Sequence, residues 1–388
     1  MLQPRTVLQN FEILRPKYEL DQTEILRWLG NAHAQVEAWK NPTPNQTAES
    51  FIRLFQRFGC SPNRIGKRGI ELPDCIESSI SQMTILSPSH SSDIQTGAIR
   101  GMPGAGFSVR TQFFDQVTHA RVQQLFENED IPPQHLIHVT CTGYSSPSSV
   151  QALVSKRRWT QHCCVTHAYH MGCYASLPAV RIADGYRATG LEKIDIVHTE
   201  LCSLHLNLAD HSPEQMIVQS LFADGYIRYS AVNATNTDLG GLELITIHEE
   251  ILPDSKDLMT WQASEWGMKM TLSRDVPLKL STAISKFIAR MLLKVENGEL
   301  PLLSDAVFAI HPGGPRIIDQ LQTELNLREE QVSHSKNILF KYGNMSSATL
   351  PYIWHSLVGD SSIPTGKWIL SLAFGPGLTA FGSLMRKR

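Results

Sequence analysis

Three observations predict an α/β fold built from two linked halves. Short apolar, β-branched runs alternate with helix-compatible runs on both sides of the middle of the chain, the pattern of strands covered by helices. The stretch 231–241, containing Asn233, Asn236, Gly240 and Gly241, separates the two sets and marks a junction. The 388 residues, 42% of them hydrophobic, are enough to fill a substantial core. The halves are expected at residues 1–235 and 236–388.

Residues 1–16 alternate too briefly to specify more than a strand or an arm. Asp21-Gln22-Thr23-Glu24 opens a helix through Ile25, Leu26 and Leu29, with Asp21 as N-cap and Glu24 as its capping-box partner. Residues 47–58 give a second helix whose inward side is Phe51, Ile52, Leu54, Phe55 and Phe58. The serine-rich stretch 78–92 reads as loop, and 101–106 as a turn before a helix over 109–127 that Pro132-Pro133 stops. Residues 135–141 and 194–200 are buried strands. Between them, Tyr169-His170-Met171-Gly172-Cys173 turns into an apolar helix. The second half reads as a strand over 242–247, a helix over 281–295, a strand over 306–310, a helix over 314–327 and a strand over 368–374.

Composition narrows the function classes. A formal net charge of −2 argues against nucleic acid as the main partner, because phosphate-binding surfaces carry a basic excess. No run approaches the apolar length of a membrane span, and the N-terminus lacks the pattern of a signal peptide, so a cytoplasmic protein is expected. Seven cysteines, an odd number in so long a chain, fit a reducing compartment. Cys60, Cys75, Cys163, Cys164 and Cys202 are expected as small apolar filler.

Cys173 is different because of its position. A thiol at a helix start faces unpaired N–H groups and the positive end of the peptide dipoles, which favour thiolate. His311, in Ala309-Ile310-His311-Pro312-Gly313-Gly314-Pro315, is a candidate base for it. Asn344, in Tyr342-Gly343-Asn344-Met345-Ser346, offers a side-chain N–H for the oxyanion of an attacked thioester. Gly313, Gly314, Gly375 and Gly377 serve backbone geometry. Cys164, His167, His170 and Cys173 have metal-ligand chemistry, but strand alternation before the turn argues against a shared metal.

The words around these residues resemble the type III polyketide synthases, the chalcone and stilbene synthase family of the thiolase superfamily. They are Gly172-Cys173-Tyr174-Ala175, Leu221-Phe222-Ala223-Asp224-Gly225, Ile251-Leu252-Pro253-Asp254-Ser255, Asp275-Val276-Pro277, Ile310-His311-Pro312-Gly313-Gly314-Pro315, Tyr342-Gly343-Asn344-Met345-Ser346-Ser347 and Phe374-Gly375-Pro376-Gly377-Leu378-Thr379, in the family's order. The resemblance implies a thiolase fold, two similar βαβ-rich halves in five αβαβα layers, and a homodimer. It implies that Cys173 carries a starter acyl group while His311 and Asn344 activate it and help decarboxylate a malonyl extender. A Claisen condensation follows, with pyrone or aromatic ring formation as a further step of secondary metabolism. No metal or redox cofactor is expected; acyl-coenzyme A or acyl-carrier-protein thioesters and malonyl-coenzyme A are the expected substrates.

Where the chain departs from the family, the pocket is expected to change. Phe222 matches one of two entrance phenylalanines, and Met270 replaces the other. Trp261 falls where chalcone synthases have a small glycine, which implies few extension cycles. His205 and Cys141 fall at pocket threonines, Ser146 at a methionine that crosses into the partner subunit, and Ser346 keeps the pocket serine. Of the basic residues that grip coenzyme A, only Arg57 and Arg64 are candidates. Such thinning also suits a carrier-protein-dependent ketosynthase that joins two β-keto chains. A non-catalytic thiolase-fold subunit that binds acyl chains or scaffolds a partner is a third reading, opposed by intact Cys173, His311 and Asn344.

Overall fold

The computed structural model describes residues 5–88, 104–234, 240–295 and 300–388. The first half contains β1 (Thr6–Leu14), β2 (Tyr18–Asp21), α1 (Gln22–Lys40), α2 (Ala48–Phe58), β3 (Lys67–Ile70), α3 (Phe107–Leu125), β4 (His135–Thr140), α4 (Ser149–Lys156), β5 (Cys164–Tyr169), α5 (Ser176–Ala188), β6 (Lys193–Glu200), α6 (Pro213–Leu221) and β7 (Gly225–Asn233). The second contains β8 (Leu242–Ile251), β9 (Met259–Ala263), β10 (Met268–Leu272), α7 (Val276–Leu292), β11 (Val307–Ile310), α8 (Pro315–Glu324), α9 (Glu329–Tyr342), α10 (Thr349–Gly359), β12 (Trp368–Gly375) and β13 (Thr379–Lys387).

Nine strands form one sheet in the order β11-β12-β13-β8-β1-β7-β6-β4-β5. Its two ends repeat a topology. β1 is antiparallel to β7, β7 to β6, and β6 is parallel to β4; β8 is antiparallel to β13, β13 to β12, and β12 is parallel to β11. The two sets join where Val7 and Leu8 pair with Glu243 and Leu242.

Period-two alternation sorts the strand side chains into layers. Ile137 and Val139 of β4, with Val307 and Ala309 of β11, pack onto the buried helices α5 and α10 in one core shared by both halves. Their neighbours face outward, Leu136 toward α1–α4 and Phe308 and Ile310 toward α7 and α8. The layers are therefore outer helices, one arm of the sheet, the inner helices α5 and α10, the other arm of the same sheet, and outer helices.

Several sequence expectations need correction. Asp21 makes no side-chain cap, because it ends β2; the N–H of Gln22 is already used by Gly66 O at 2.8 Å. Helix α7 starts five residues before the expected 281, with Pro277 in its first turn, where its missing N–H costs nothing. Residues 231–233 belong to β7 rather than to the junction. Residues 235–239 of that junction, the 235/236 boundary and parts of the 78–92 loop and the 101–106 turn lie outside the described residues.

Candidate active site

Cys173 stands on the turn between β5 and α5. Gly172 ahead of it has φ +85°, and a Cβ there would come within 2.7 Å of the Pro376 ring. Only glycine meets both demands. A Cβ on Gly375 would likewise lie 2.1 Å from the Tyr174 ring. The same loop is tied to the end of β8, since the Ser255 hydroxyl donates to Leu252 O at 2.6 Å and accepts from Leu378 N–H at 2.7 Å. Three of the sequence words therefore meet beside the cysteine.

His311 follows β11, and its N–H donates to Leu372 O at 2.8 Å, extending the β11–β12 pairing. Asn344 follows α9 and is bridged to Phe222 by backbone bonds, its N–H to Leu221 O at 3.1 Å and its carbonyl from Ala223 N–H at 2.8 Å. Its Oδ1 accepts from Ser346 N–H at 2.9 Å, which assigns the other end of the amide as the NH2 group. Both side chains are fully buried. Among the described residues neither nitrogen of His311 nor the Nδ2 of Asn344 has a hydrogen-bond partner.

Burial pushes the Cys173 thiol up to about 12, and the Glu200 carboxylate adds to the rise. The Ser346 hydroxyl, 3.7 Å from the sulfur, and the Asn344 amide act in the opposite direction. Burial lowers His311 to about 3. Cys173 lies ahead of the first residue of α5, Ser176, and burial opposes the thiolate that a helix start favours.

A cavity is lined by Cys173 and by all six candidate pocket residues, Phe222, Met270, Trp261, His205, Cys141 and Ser346. His311 and Asn344 do not reach its surface. Trp261 and Met270 are direct cross-strand partners of the β9–β10 hairpin, which places them side by side. The Trp261 indole donates to Cys141 O at 2.7 Å and meets the His205 ring edge-on. His205 accepts from Met268 N–H at 3.0 Å and so donates through its other nitrogen to Thr142 O at 2.9 Å. It is a fixed, neutral ring, lowered to about 3 by burial.

Arg57 and Arg64 lie outside this lining. Arg57 is exposed, with its guanidinium over the Phe58 ring, and Arg64 makes a two-point ion pair with Asp319, the closer contact at 2.8 Å. Cys164 is exposed and Cys202 lines the cavity, so neither is buried filler. His167 bonds to Ser148 and His170 to Tyr144, and among the described residues no His, Cys, Asp or Glu group is arranged to hold a metal. Sequence reading missed Glu200, a buried acid that accepts from Thr142 Oγ1 at 2.8 Å, from the N–H and thiol of Cys141 and from the Ser347 hydroxyl. An acid at the end of a strand read as buried was the available signal.

A doubled strand topology around two buried helices, with a cysteine on the turn into the first of them, defines a thiolase-type condensing enzyme. Residues 243–387 match the profile of the C-terminal domain of chalcone and stilbene synthases. The chain is 30% identical over 265 residues to type III polyketide synthase C of Arabidopsis thaliana, covering 66% of this chain and 68% of that protein. It is 29% identical over 258 residues to the α-pyrone synthesis polyketide synthase-like Pks18 of Mycobacterium tuberculosis, covering 64% of each. In fold it is similar to polyketide synthase I of the brown alga Ectocarpus siliculosus, with TM-score 0.81, 23% identity and full coverage of both chains. The 1,3,6,8-tetrahydroxynaphthalene synthase of Streptomyces coelicolor gives TM-score 0.73 and 22% identity over 98% of this chain and 99% of that one. The protein belongs to the type III polyketide synthases, enzymes that condense acyl units. These likenesses favour neither the chain-joining ketosynthase nor the non-catalytic subunit.

Proposed function

We propose that Cys173 is the acyl carrier of this synthase and that His311 and Asn344 serve both half-reactions. The observation that carries this reading is the set of unpaired donors. Buried polar groups are nearly always hydrogen-bonded, yet the two nitrogens of His311 and the Asn344 Nδ2 are without a partner among the described residues, and the Asn344 amide acts on the buried Cys173 thiol. Groups held in that way suit a developing oxyanion.

In the loading step Cys173 gives its proton to His311, and its sulfur attacks the carbonyl of an acyl-coenzyme A. The carbon–sulfur bond to coenzyme A breaks and the leaving thiolate takes the proton back. A malonyl-coenzyme A then loses CO2, and the resulting enolate oxygen is held by His311 N–H and Asn344 N–H. The enolate carbon attacks the acyl-cysteine carbonyl, forming a carbon–carbon bond and releasing the cysteine thiolate. By class this is an acyltransferase. Trp261 occupies cavity space, which supports few cycles and closure to a small ring. Arg57 and Arg64 are the proposed coenzyme A contacts, the active form is a homodimer, and seven unpaired cysteines support a cytoplasmic location. Among the described residues no helix is long and apolar enough to cross a membrane.

Intact-protein mass spectrometry of wild type and Cys173→Ala, incubated with acyl-coenzyme A donors and then malonyl-coenzyme A, tests the reading. An adduct on wild type alone, followed by a malonyl-dependent product, is expected. Equal labelling of both proteins would overturn the role of Cys173.

A further inference from the structure

Helices α9 and α10 carry a second set of groups suited to nucleophilic chemistry, none of which lines the cavity beside Cys173. Ser356 lies in the last turn of α10, Asp360 follows as the C-cap of that helix, and His334 reaches them from α9. The His334 ring meets the Ser356 hydroxyl through Nδ1 at 2.8 Å and the Asp360 carboxylate through Nε2 at 3.1 Å. The end of α10 is pinned by Lys387 of β13, whose Nζ donates to Leu357 O at 2.8 Å and to Asp360 O at 2.6 Å.

The partners of Asp360 fix where the protons sit. Its Oδ1 accepts from the Ser362 hydroxyl at 2.7 Å and from the Ser362 N–H at 2.8 Å, and these donors hold the carboxyl below its usual range. A carboxylate only accepts, so Nε2 of His334 carries the ring proton and Nδ1 presents its lone pair to the serine hydroxyl. Burial lowers His334, with Lys387 acting in the same direction and Asp360 against it, which leaves the ring neutral at pH 7 and able to take a proton. Other histidines bond hydroxyls without this backing. His167 meets Ser148, the N-cap of α4, while His138 lies between Thr199 and Tyr169, and His198 between Ser347 and Tyr229. Among the described residues only His334 joins a hydroxyl on one ring nitrogen to a carboxylate on the other. Either bond alone would tie α9 to α10; the two together make an oriented base beside a serine.

We propose that Ser356, with His334 as base and Asp360 holding that base in place, is a second nucleophile that takes the acyl group of a small carboxylic ester. The Ser356 hydroxyl gives its proton to His334 Nδ1 while its oxygen bonds to the ester carbonyl carbon. The carbon–oxygen bond to the alcohol then breaks, and the departing alkoxide takes the proton from His334. Water attacks the acyl-serine with His334 again as base, the acid leaves, and the proton returns to the Ser356 oxygen. The side chains of His334 and Asp360 are 14% and 31% exposed, so the set opens at the surface between two helices, which suits a small ester. This activity is independent of the condensing reaction at Cys173.

Diisopropyl fluorophosphate, a small serine reagent whose fluoride leaves on attack, tests the proposal on the full wild-type chain, with the modified residue located by peptide mass spectrometry. An adduct on Ser356 is expected, forming at least about a hundredfold faster than in His334→Gln. The glutamine amide can still donate to Asp360 and accept from Ser356, so it keeps the tie between the helices and removes only the base. The labelling rate should hold from about pH 8 down to pH 6.5 and fall below it as His334 takes up a proton, since the fold lowers this group from 6.5. Asp360→Asn, which removes the acceptor that fixes the tautomer, is expected to slow labelling in the same way and replaces His334→Gln should that variant fail to fold by circular dichroism. Hydrolysis of p-nitrophenyl acetate is followed in Cys173→Ala, which lacks the other acyl acceptor, and should drop by about tenfold or more when Ser356→Ala is added. Absence of an adduct on Ser356, or equal labelling rates in wild type and His334→Gln, overturns the proposal and leaves the three residues as a tie between helices.

Discussion

Burial moves Cys173 and His311 in opposite directions, the thiol up to about 12 and the imidazole down to about 3. Each shift penalises a single charge, and proton transfer between the two creates opposite charges that offset one another. His311→Ala should therefore leave Cys173 with the whole desolvation cost. Iodoacetamide alkylation of Cys173, followed across pH, is expected to show a midpoint at least about one unit lower in wild type than in His311→Ala, or about 1.4 kcal/mol; coincident profiles would deny the pairing. Asp224 gives a second residue-level test. Burial raises its pKa from 3.8 to about 7, against the donors Ser203 and Glu71 N–H. A carboxyl raised in the fold contributes stability below its unfolded pKa and loses it as pH climbs through the folded one. Urea stability should fall between about pH 4 and about pH 7 by up to about 4 kcal/mol from this group. Asp224→Asn should flatten that slope, and a slope of unchanged steepness would show that other groups set it.

At the scale of elements, the β9–β10 hairpin decides how much room a growing chain has. Trp261 is pinned at two points, its N–H on Cys141 O and its ring against His205, so it cannot swing aside without breaking a hydrogen bond. Trp261→Gly is expected to lengthen the products by one or more malonyl units, read by mass spectrometry of the released polyketides; an unchanged length would place the limit elsewhere. This hairpin shows where sequence reading stopped. Trp261 was legible as a pocket residue by resemblance, but its partnership with Met270 depends on a register that only the folded hairpin defines. Strands β11 and β12 were legible because both of their faces are buried and they read as apolar runs, and β4 and β6 because Leu136, Ile137 and Val139, and Ile194, Ile196 and Val197, give each a β-branched apolar core. β13 was not, because Gly382 interrupts it; a Cβ there would come within 2.9 Å of Phe287 on α7, so the glycine answers to a helix almost a hundred residues away. Glu200 escaped for the same reason, its donor Ser347 lying 147 positions along the chain.

The halves share one core, and this sets how the molecule should unfold. Trp354 of α10 is fully buried, donates to Ser371 Oγ at 2.9 Å and packs edge-on against Tyr229 of β7 at 5.9 Å between ring centroids. It thereby joins a helix of the second half to a strand of the first. The antiparallel pairing of β1 with β8 links the same two halves through backbone bonds. Multidomain chains commonly unfold in steps, but steps require a boundary across which few contacts are lost. Here separation of the halves would expose the apolar faces of both α5 and α10, so one cooperative transition is expected. In urea, near-ultraviolet circular dichroism and loss of condensing activity should fall on a single curve. Trp354→Ala should move both probes together, by about 3–5 kcal/mol, because the cavity it leaves is shared. If the variant split the curve, with one probe unmoved, the central layer would not be the element that makes the two halves a single folding unit.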